Sequence, residues 1–136
     1  HLKKALGLAT RLEAQKEVAW VNYPDLASST YKELADKYLP NGQSGLVTFG
    51  AKGGYEVAKT IVDNAKIFSL LANIGDTKSL IIHPASTTHQ QLTEEQQLAA
   101  GVSSDLIRLS VGLENIDDLK LDLKEAFSKI SKEVLV

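Results

Sequence analysis

The sequence contains no cysteine and no methionine among its 136 residues. Without cysteine the chain has no disulfide framework, no thiolate metal site and no cysteine nucleophile, and this composition predicts a cytoplasmic protein. Basic residues number 15 and acidic residues 17, so no excess of positive charge favours binding to nucleic acid or an anionic membrane. No apolar run approaches the roughly 18 residues of a membrane-spanning helix, and no signal-like segment opens the chain.

The first residue is His1 rather than Met, and it begins a helical pattern, so we expect the chain to be a piece of a longer protein. Hydrophobic residues make up 43% of the sequence and charged residues 24%, which is typical of a globular domain. A chain of this length predicts one domain that buries on the order of 68% of its unfolded surface.

Hydrophobic periodicity predicts a mixed α/β (α+β two-layer) domain. Helices are predicted over 2–16, 31–38, after Gly54, from the capping-box pattern at Thr93, and from Asn115 onward; strands are predicted over 18–23, 46–49, 67–70, 80–82 and 105–111. The last helix has an apolar stripe at helical spacing, formed by Ile116, Leu119, Leu123, Phe127, Ile130 and Val134. The simplest architecture is one mainly antiparallel sheet of about four strands with helices packed on one face.

Arg108 is the most informative single residue. Alternation along 105–111 places Ile107 and Leu109 on one face of the strand and Arg108 and Ser110 on the other. A guanidinium within an apolar strand is costly to bury without an anion, and its planar fork matches a carboxylate. Two interpretations follow: Arg108 binds the carboxylate of a ligand, or it forms a structural ion pair with an Asp or Glu.

Other polar patterns are less specific. The segment 49–54 is rich in glycine but matches no phosphate-binding motif, which favours a turn that enters a helix. His83 and His89 lack a third ligand at metal spacing, so we predict no metal site. Between them, Ser86, Thr87 and Thr88 form either a loop with internally satisfied hydroxyls or a set of ligand contacts near Arg108.

These residues also occur in a pattern that resembles a known family. The pattern comprises the block 83–89 (HPASTTH), Gly101-Val102, the strand and turn 105–114 (DLIRLSVGLE), and Asp117-Asp118-Leu119. It resembles the C-terminal domain of the Cys/Met-metabolism PLP-dependent enzymes of fold type I, over essentially all 136 residues. Segment 72–76 (ANIGD) and segment 20–24 (WVNYP) are similar to the O-acetylhomoserine sulfhydrylase branch of that family.

The resemblance implies a PLP-dependent transferase. Its reaction would convert O-acetylhomoserine and sulfide, or a small thiol, to homocysteine or a thioether, with release of acetate. It implies a homo-oligomer, most simply a tetramer, and a large PLP-binding domain outside this chain that carries the Schiff-base lysine. On this view the chain 1–136 is the C-terminal small domain, is inactive alone and binds no cofactor by itself.

The resemblance assigns three substrate-binding residues. Arg108 would bind the α-carboxylate of the substrate, Asn73 stands where the family has a serine whose backbone contacts the same group, and Thr88 matches a threonine near the substrate. Two alternatives stay open. The parent could be another trans-sulfuration enzyme, such as a cystathionine γ-synthase or lyase or a methionine γ-lyase, or the chain could be a non-catalytic module that binds carboxylates.

Overall fold

The computed structural model describes residues 1–130. Five α-helices span Leu2–Glu13 (α1), Lys32–Tyr38 (α2), Tyr55–Asn64 (α3), Glu94–Ala99 (α4) and Ile116–Phe127 (α5). Five strands span Val18–Asn22 (β1), Leu46–Ala51 (β2), Ser69–Leu70 (β3), Leu80–Ile82 (β4) and Leu106–Ser110 (β5), and a short 3-10 turn covers Pro84–Ser86. Within this described part of the chain, the longest helices have 12 residues, and none is long and apolar enough to cross a bilayer.

The strands form one mixed sheet in the order β1-β2-β5-β4-β3. Three neighbouring pairs are antiparallel, and β3 pairs with β4 in parallel. The α/β class and the mainly antiparallel pairing are therefore as predicted, but the strand count of about four is too low by one. The extra strand has two residues, because only Ser69 and Leu70 of the predicted segment 67–70 reach ladder positions beside β4.

Helices α1, α3 and α5 cover one face of the sheet. Their apolar stripes bury Leu8 and Leu12 of α1, Ile61 of α3 and Leu119 of α5 in a common core. The core side of the sheet contributes Val47, Phe49, Ile81, Ile107 and Leu109, none of which is accessible to solvent. This arrangement confirms helices on one face of the sheet. The strand positions that alternate with the core residues, among them Arg108 and Ser110, lie on the opposite face.

The helix ends follow their local sequence. Thr93 accepts a hydrogen bond from the Gln96 backbone and the Gln96 side chain accepts one from Thr93, which confirms the capping box. The Asn115 side chain accepts a hydrogen bond from the Asp117 amide and caps α5. The predicted stripe of α5 is confirmed for Ile116, Leu119, Leu123 and Phe127, with Ile116 only partly buried. The helix ends at Phe127, so Ile130 packs against the core from the turn that follows it, and the predicted extent of the helix is too long. Val134 lies outside the described residues.

Candidate functional site

Arg108 lies at the centre of the sheet, on the face opposite the three core helices. Strand β5 runs between β2 and β4, and the register places Arg108 directly beside Thr48 and Ile82. Its neighbours Ile107 and Leu109 are fully buried on the helical side, whereas Arg108 itself is partly exposed. The sequence-based prediction of the face is therefore confirmed.

The guanidinium of Arg108 has no carboxylate partner within residues 1–130. Both ion pairs found in that part of the chain belong to Lys32, which binds Asp25 and Asp36 at 2.8 and 2.6 Å. The described residues thus give no support to the structural ion pair that the sequence left as an alternative. They leave a cationic fork whose geometry suits a carboxylate from outside the domain.

A cavity of about 240 Å³ lies beside β5, next to the sheet face that carries Arg108. Two of its lining residues, Leu46 and Ser110, face each other in the β2–β5 ladder, and Ser110 lies two residues from Arg108 on the same side of the strand. The remaining lining residues are His1, Ser44, Gly45, Ile74, Gly75 and Val111. The cavity therefore brings the loop after β3 next to the strand that carries Arg108.

Asn73 lies in that loop and is exposed. Its side-chain oxygen accepts a hydrogen bond from the Ile74 amide at 2.8 Å, which shapes the local turn. The next two residues, Ile74 and Gly75, line the cavity, and Gly75 has a φ of +75° that favours glycine. Asn73 is thus one residue from the cavity edge that Ser110 also borders.

The block after β4 is organised around His83, which is completely buried. Its Nε2 lies 2.7 Å from the Ser104 carbonyl, which can only accept a hydrogen bond, so Nε2 donates there. Its Nδ1 lies 2.8 Å from the Ser86 hydroxyl, which also lies 3.3 Å from the His83 carbonyl oxygen. The Thr87 hydroxyl donates to the His83 carbonyl at 2.8 Å. Ser86 and Thr87 are therefore satisfied within the loop, and His83 joins the end of β4 to the start of β5.

Thr88 differs from these two neighbours because it is exposed. Its hydroxyl lies 2.8 Å from Nδ1 of His89, the second histidine of the block. Within residues 1–130, no cluster of three or more His, Asp or Glu side chains could hold a metal ion. Thr88 remains a prediction as a substrate contact.

Two side-chain interactions at the sheet were not predicted. The Trp20 indole donates to the Asp105 carboxylate at 2.9 Å, and this bond passes over Gly50, where a Cβ atom would overlap the indole nitrogen. On the helical side of the sheet, the buried carboxylate of Asp122 in α5 accepts hydrogen bonds from the amides of residues 66, 67 and 68 at 2.8, 2.8 and 3.1 Å. The signal for Asp122 is present in the sequence, since it shares the buried face of α5 with Leu119 and Leu123.

Lysine side chains lie at the surface of the described part of the domain, since every lysine within residues 1–130 is at least partly exposed. On the sheet face of Arg108, the neighbouring strand positions carry the hydroxyl groups of Thr48 and Ser110.

Comparison with known proteins identifies the family of this chain. The sequence pattern of the Cys/Met metabolism PLP-dependent enzymes matches residues 1–128. The chain belongs to this family. It is 52% identical over 128 residues to O-acetyl-L-homoserine sulfhydrylase 1 of Thermus thermophilus, covering 94% of the chain and 30% of that protein. It is 53% identical over 131 residues to the O-acetyl-L-homoserine sulfhydrylase of Leptospira meyeri, covering 96% and 30%.

A solved structure supports the fold of this family member. The crystal structure of a Campylobacter jejuni protein described as an O-acetylhomoserine (thiol)-lyase matches with a TM-score of 0.87 and 51% identity. The match covers 95% of the chain and 31% of that protein, which carries a pyridoxyl-modified lysine at its position 205. The chain thus spans about 30% of the length of the relatives it matches.

Proposed function

We propose that the full-length protein is a PLP-dependent O-acetylhomoserine sulfhydrylase and that this chain supplies the residues that bind the substrate carboxylate. The reaction replaces the acetate group of O-acetylhomoserine by sulfide, or by a small thiol, and yields homocysteine or a thioether. The proposed activity is supported by the 52–53% identity of this chain to proteins named O-acetyl-L-homoserine sulfhydrylase. When bound, PLP supplies the electron sink for this replacement, and the protein positions the substrate.

One observation carries the proposal. Arg108 presents a guanidinium on the sheet face opposite the core helices, with no carboxylate partner within residues 1–130. An amino-acid substrate offers an α-carboxylate that this fork can bind through two parallel hydrogen bonds. Arg108 then fixes the orientation of the substrate, which is the main contribution of a group that takes no part in bond breaking.

Asn73 and Thr88 are proposed as secondary contacts to the same substrate. The two residues that follow Asn73, namely Ile74 and Gly75, line the cavity that Ser110 also borders, and we propose that a backbone amide of this loop contacts the carboxylate. Thr88 follows the 3-10 turn that packs against β5 and is exposed. The side-chain oxygens of Asn73 and Thr88 already have hydrogen-bond partners at 2.8 Å. The Asn73 contact is therefore proposed through its backbone, and Thr88 would exchange its bond to His89 for one to the substrate.

We further propose that the lysine which binds PLP, and the groups that hold the phosphate and pyridine ring, lie outside this chain. We place the chain as the small C-terminal domain of a cytoplasmic homo-oligomer. Reading the gene on both sides of the segment tests this order, because a PLP-lysine domain encoded downstream would place the chain at the opposite end. Light scattering of the full-length protein tests the oligomer.

The decisive experiment replaces Arg108 in the full-length protein. Arg108→Ala removes a charge-assisted hydrogen-bonded pair worth about 1.5–3 kcal/mol, so kcat/KM for O-acetylhomoserine should fall by about one to two orders of magnitude. Cofactor loading and the thermal midpoint should stay near wild type. Arg108→Lys should restore only part of the loss, because an ammonium does not reproduce the planar fork.

The chain offers a matched control in Arg11, its other arginine, which is exposed on α1. Arg11→Ala should leave the kinetics unchanged. A thermal midpoint that drops in Arg108→Ala while kcat/KM stays normal would instead assign Arg108 a structural role. Faster turnover of cystathionine or methionine than of O-acetylhomoserine would favour the other trans-sulfuration enzymes.

A further inference from the structure

The loop that follows β3 has little structure of its own. Residues 71–75 are all exposed, and the segment enters no helix or strand until Leu80. A loop of this kind has no intrinsic reason to hold one position relative to Arg108, because few buried contacts restrain it. Its placement must therefore come from the contacts at its two ends.

At the far end, the carboxylate of Glu114 holds Ser79. One oxygen of Glu114 accepts the Ser79 amide at 2.8 Å, and the other accepts the Ser79 hydroxyl at 2.7 Å. The Ser79 hydroxyl oxygen in turn accepts the Gly112 amide at 2.8 Å. Partial burial alone would raise the pKa of Glu114, but the hydrogen bonds from Ser79 outweigh this effect and lower the pKa below its ordinary value. Glu114 is therefore ionised at neutral pH.

The backbone contact at this point is unusually close. A Cβ atom on Gly112 would overlap the Thr77 carbonyl oxygen and lie 2.6 Å from the Ser79 nitrogen. The Leu113 amide also donates to the Thr77 carbonyl at 2.8 Å. The end of the loop therefore lies directly against the chain that leaves β5, four residues beyond Arg108.

At the near end, Asp122 of α5 holds the amides of residues 66, 67 and 68. Two carboxylates that follow β5 in the chain thus hold both ends of the segment between α3 and β4. Between these two ends lies the exposed middle, which contains Asn73 and the two cavity-lining residues Ile74 and Gly75. Its side-chain hydrogen bonds are local, from the Ile74 amide to Asn73 and from the Lys78 amide to Asp76, so they do not tie it to the rest of the domain.

We propose that Glu114 is a positioning residue for substrate binding: through Ser79 it sets the 73–75 loop against the strand of Arg108, so that loop and guanidinium bind the substrate carboxylate together. This inference rests on the proposed function. It does not make Glu114 a catalytic residue, since Glu114 acts on the substrate only through Ser79 and the loop.

The test uses the full-length holoenzyme with O-acetylhomoserine and sulfide as probes. Glu114→Gln removes the charge and one of the two acceptors for Ser79, and Ser79→Ala removes the hydroxyl that joins Glu114 to Gly112. Each should raise KM for O-acetylhomoserine about threefold to tenfold while kcat and KM for sulfide change little, because the loss falls on binding of one substrate. The double variant should be no worse than the more severe single variant, since the two residues act as one unit.

Lys4 provides the matched control. Its ammonium donates to the carbonyls of Leu113 and Glu114 at 2.7 Å, so it holds the same turn from α1, and its charge makes the smallest contribution to the low pKa of Glu114. Lys4→Gln should leave KM for O-acetylhomoserine unchanged, and it should lower the thermal midpoint by less than Ser79→Ala does, because Ser79→Ala leaves the buried Gly112 amide without its acceptor. An equal rise of KM in Lys4→Gln would overturn the inference, because general loosening of the turn would then explain it.

The inference also fails if Glu114→Gln and Ser79→Ala keep KM within twofold of wild type while Arg108→Ala raises it, and Arg108 would then keep its role. If Glu114→Gln does not fold, Ser79→Ala alone decides the outcome. If Arg108→Ala leaves KM unchanged, the carboxylate-binding role of the whole face is wrong, and this inference falls with it.

Discussion

Replacing Phe127 by alanine is expected to remove a large part of the stability of this domain. Phe127 is 4% exposed, at the last turn of α5, and its ring meets Phe49 edge-on with centroids 6.2 Å apart and planes at 88°. Truncation of a buried phenylalanine costs about 3–5 kcal/mol, including about 0.5–1.5 kcal/mol from the lost aromatic pair. For a domain of this size, that loss lowers the thermal midpoint by on the order of 10–15 °C.

Chemical denaturation followed by circular dichroism measures this loss directly. The control is Leu121→Ala, in the same helix but 53% exposed, which should change the free energy of unfolding by no more than about 0.5 kcal/mol. Alanine is the best helix former, so neither substitution costs helix propensity, and a loss of stability reports tertiary packing. A loss below about 1 kcal/mol in Phe127→Ala, or equal losses in both variants, would contradict the packing of Phe127 against Phe49 in the core.

Two further predictions concern stability. Gly7→Ala in α1 should raise the free energy of unfolding by about 0.4–1 kcal/mol, because alanine reduces the conformational freedom of the unfolded chain. The added Cβ would lie 3.8 Å from Ile116, which is an ordinary contact, and a lower free energy of unfolding would contradict the prediction. Tyr23→Phe should cost about 1 kcal/mol near neutral pH, since the buried hydroxyl donates to the Ser44 carbonyl at 2.9 Å. Burial, together with the nearby Asp25 charge, raises the pKa of Tyr23 from 10.0 to about 12, so this contribution is complete below pH 10 and is lost as the pH rises through 12. A difference absorbance titration of wild type against Tyr23→Phe checks it, and a Tyr23 titration near pH 10 would refute it.

The sequence alone determined the features that depend on residues close together in the chain, namely helix faces, helix starts and strand faces. The stripe of α5 fixed which side of that helix is buried, because residues three and four apart share one face of a helix. Thr93 and Asn115 fixed two helix starts, since their side chains bond to amides two or three residues away. Alternation likewise placed Arg108 on the face opposite Ile107 and Leu109.

The tertiary structure decided everything that depends on residues far apart in the chain. One example is the parallel pairing of the two-residue β3 with β4. Another is the set of hydrogen bonds from the amides of residues 66–68 to Asp122. Both join segments that no local sequence pattern connects. Whether Arg108 pairs with a carboxylate of its own domain was also open in the sequence, because spacing says nothing of three-dimensional proximity. The structure places no Asp or Glu of residues 1–130 in ion-pair contact with it. Local interactions set the elements and their faces, whereas contacts across the sheet set the neighbours of each functional group.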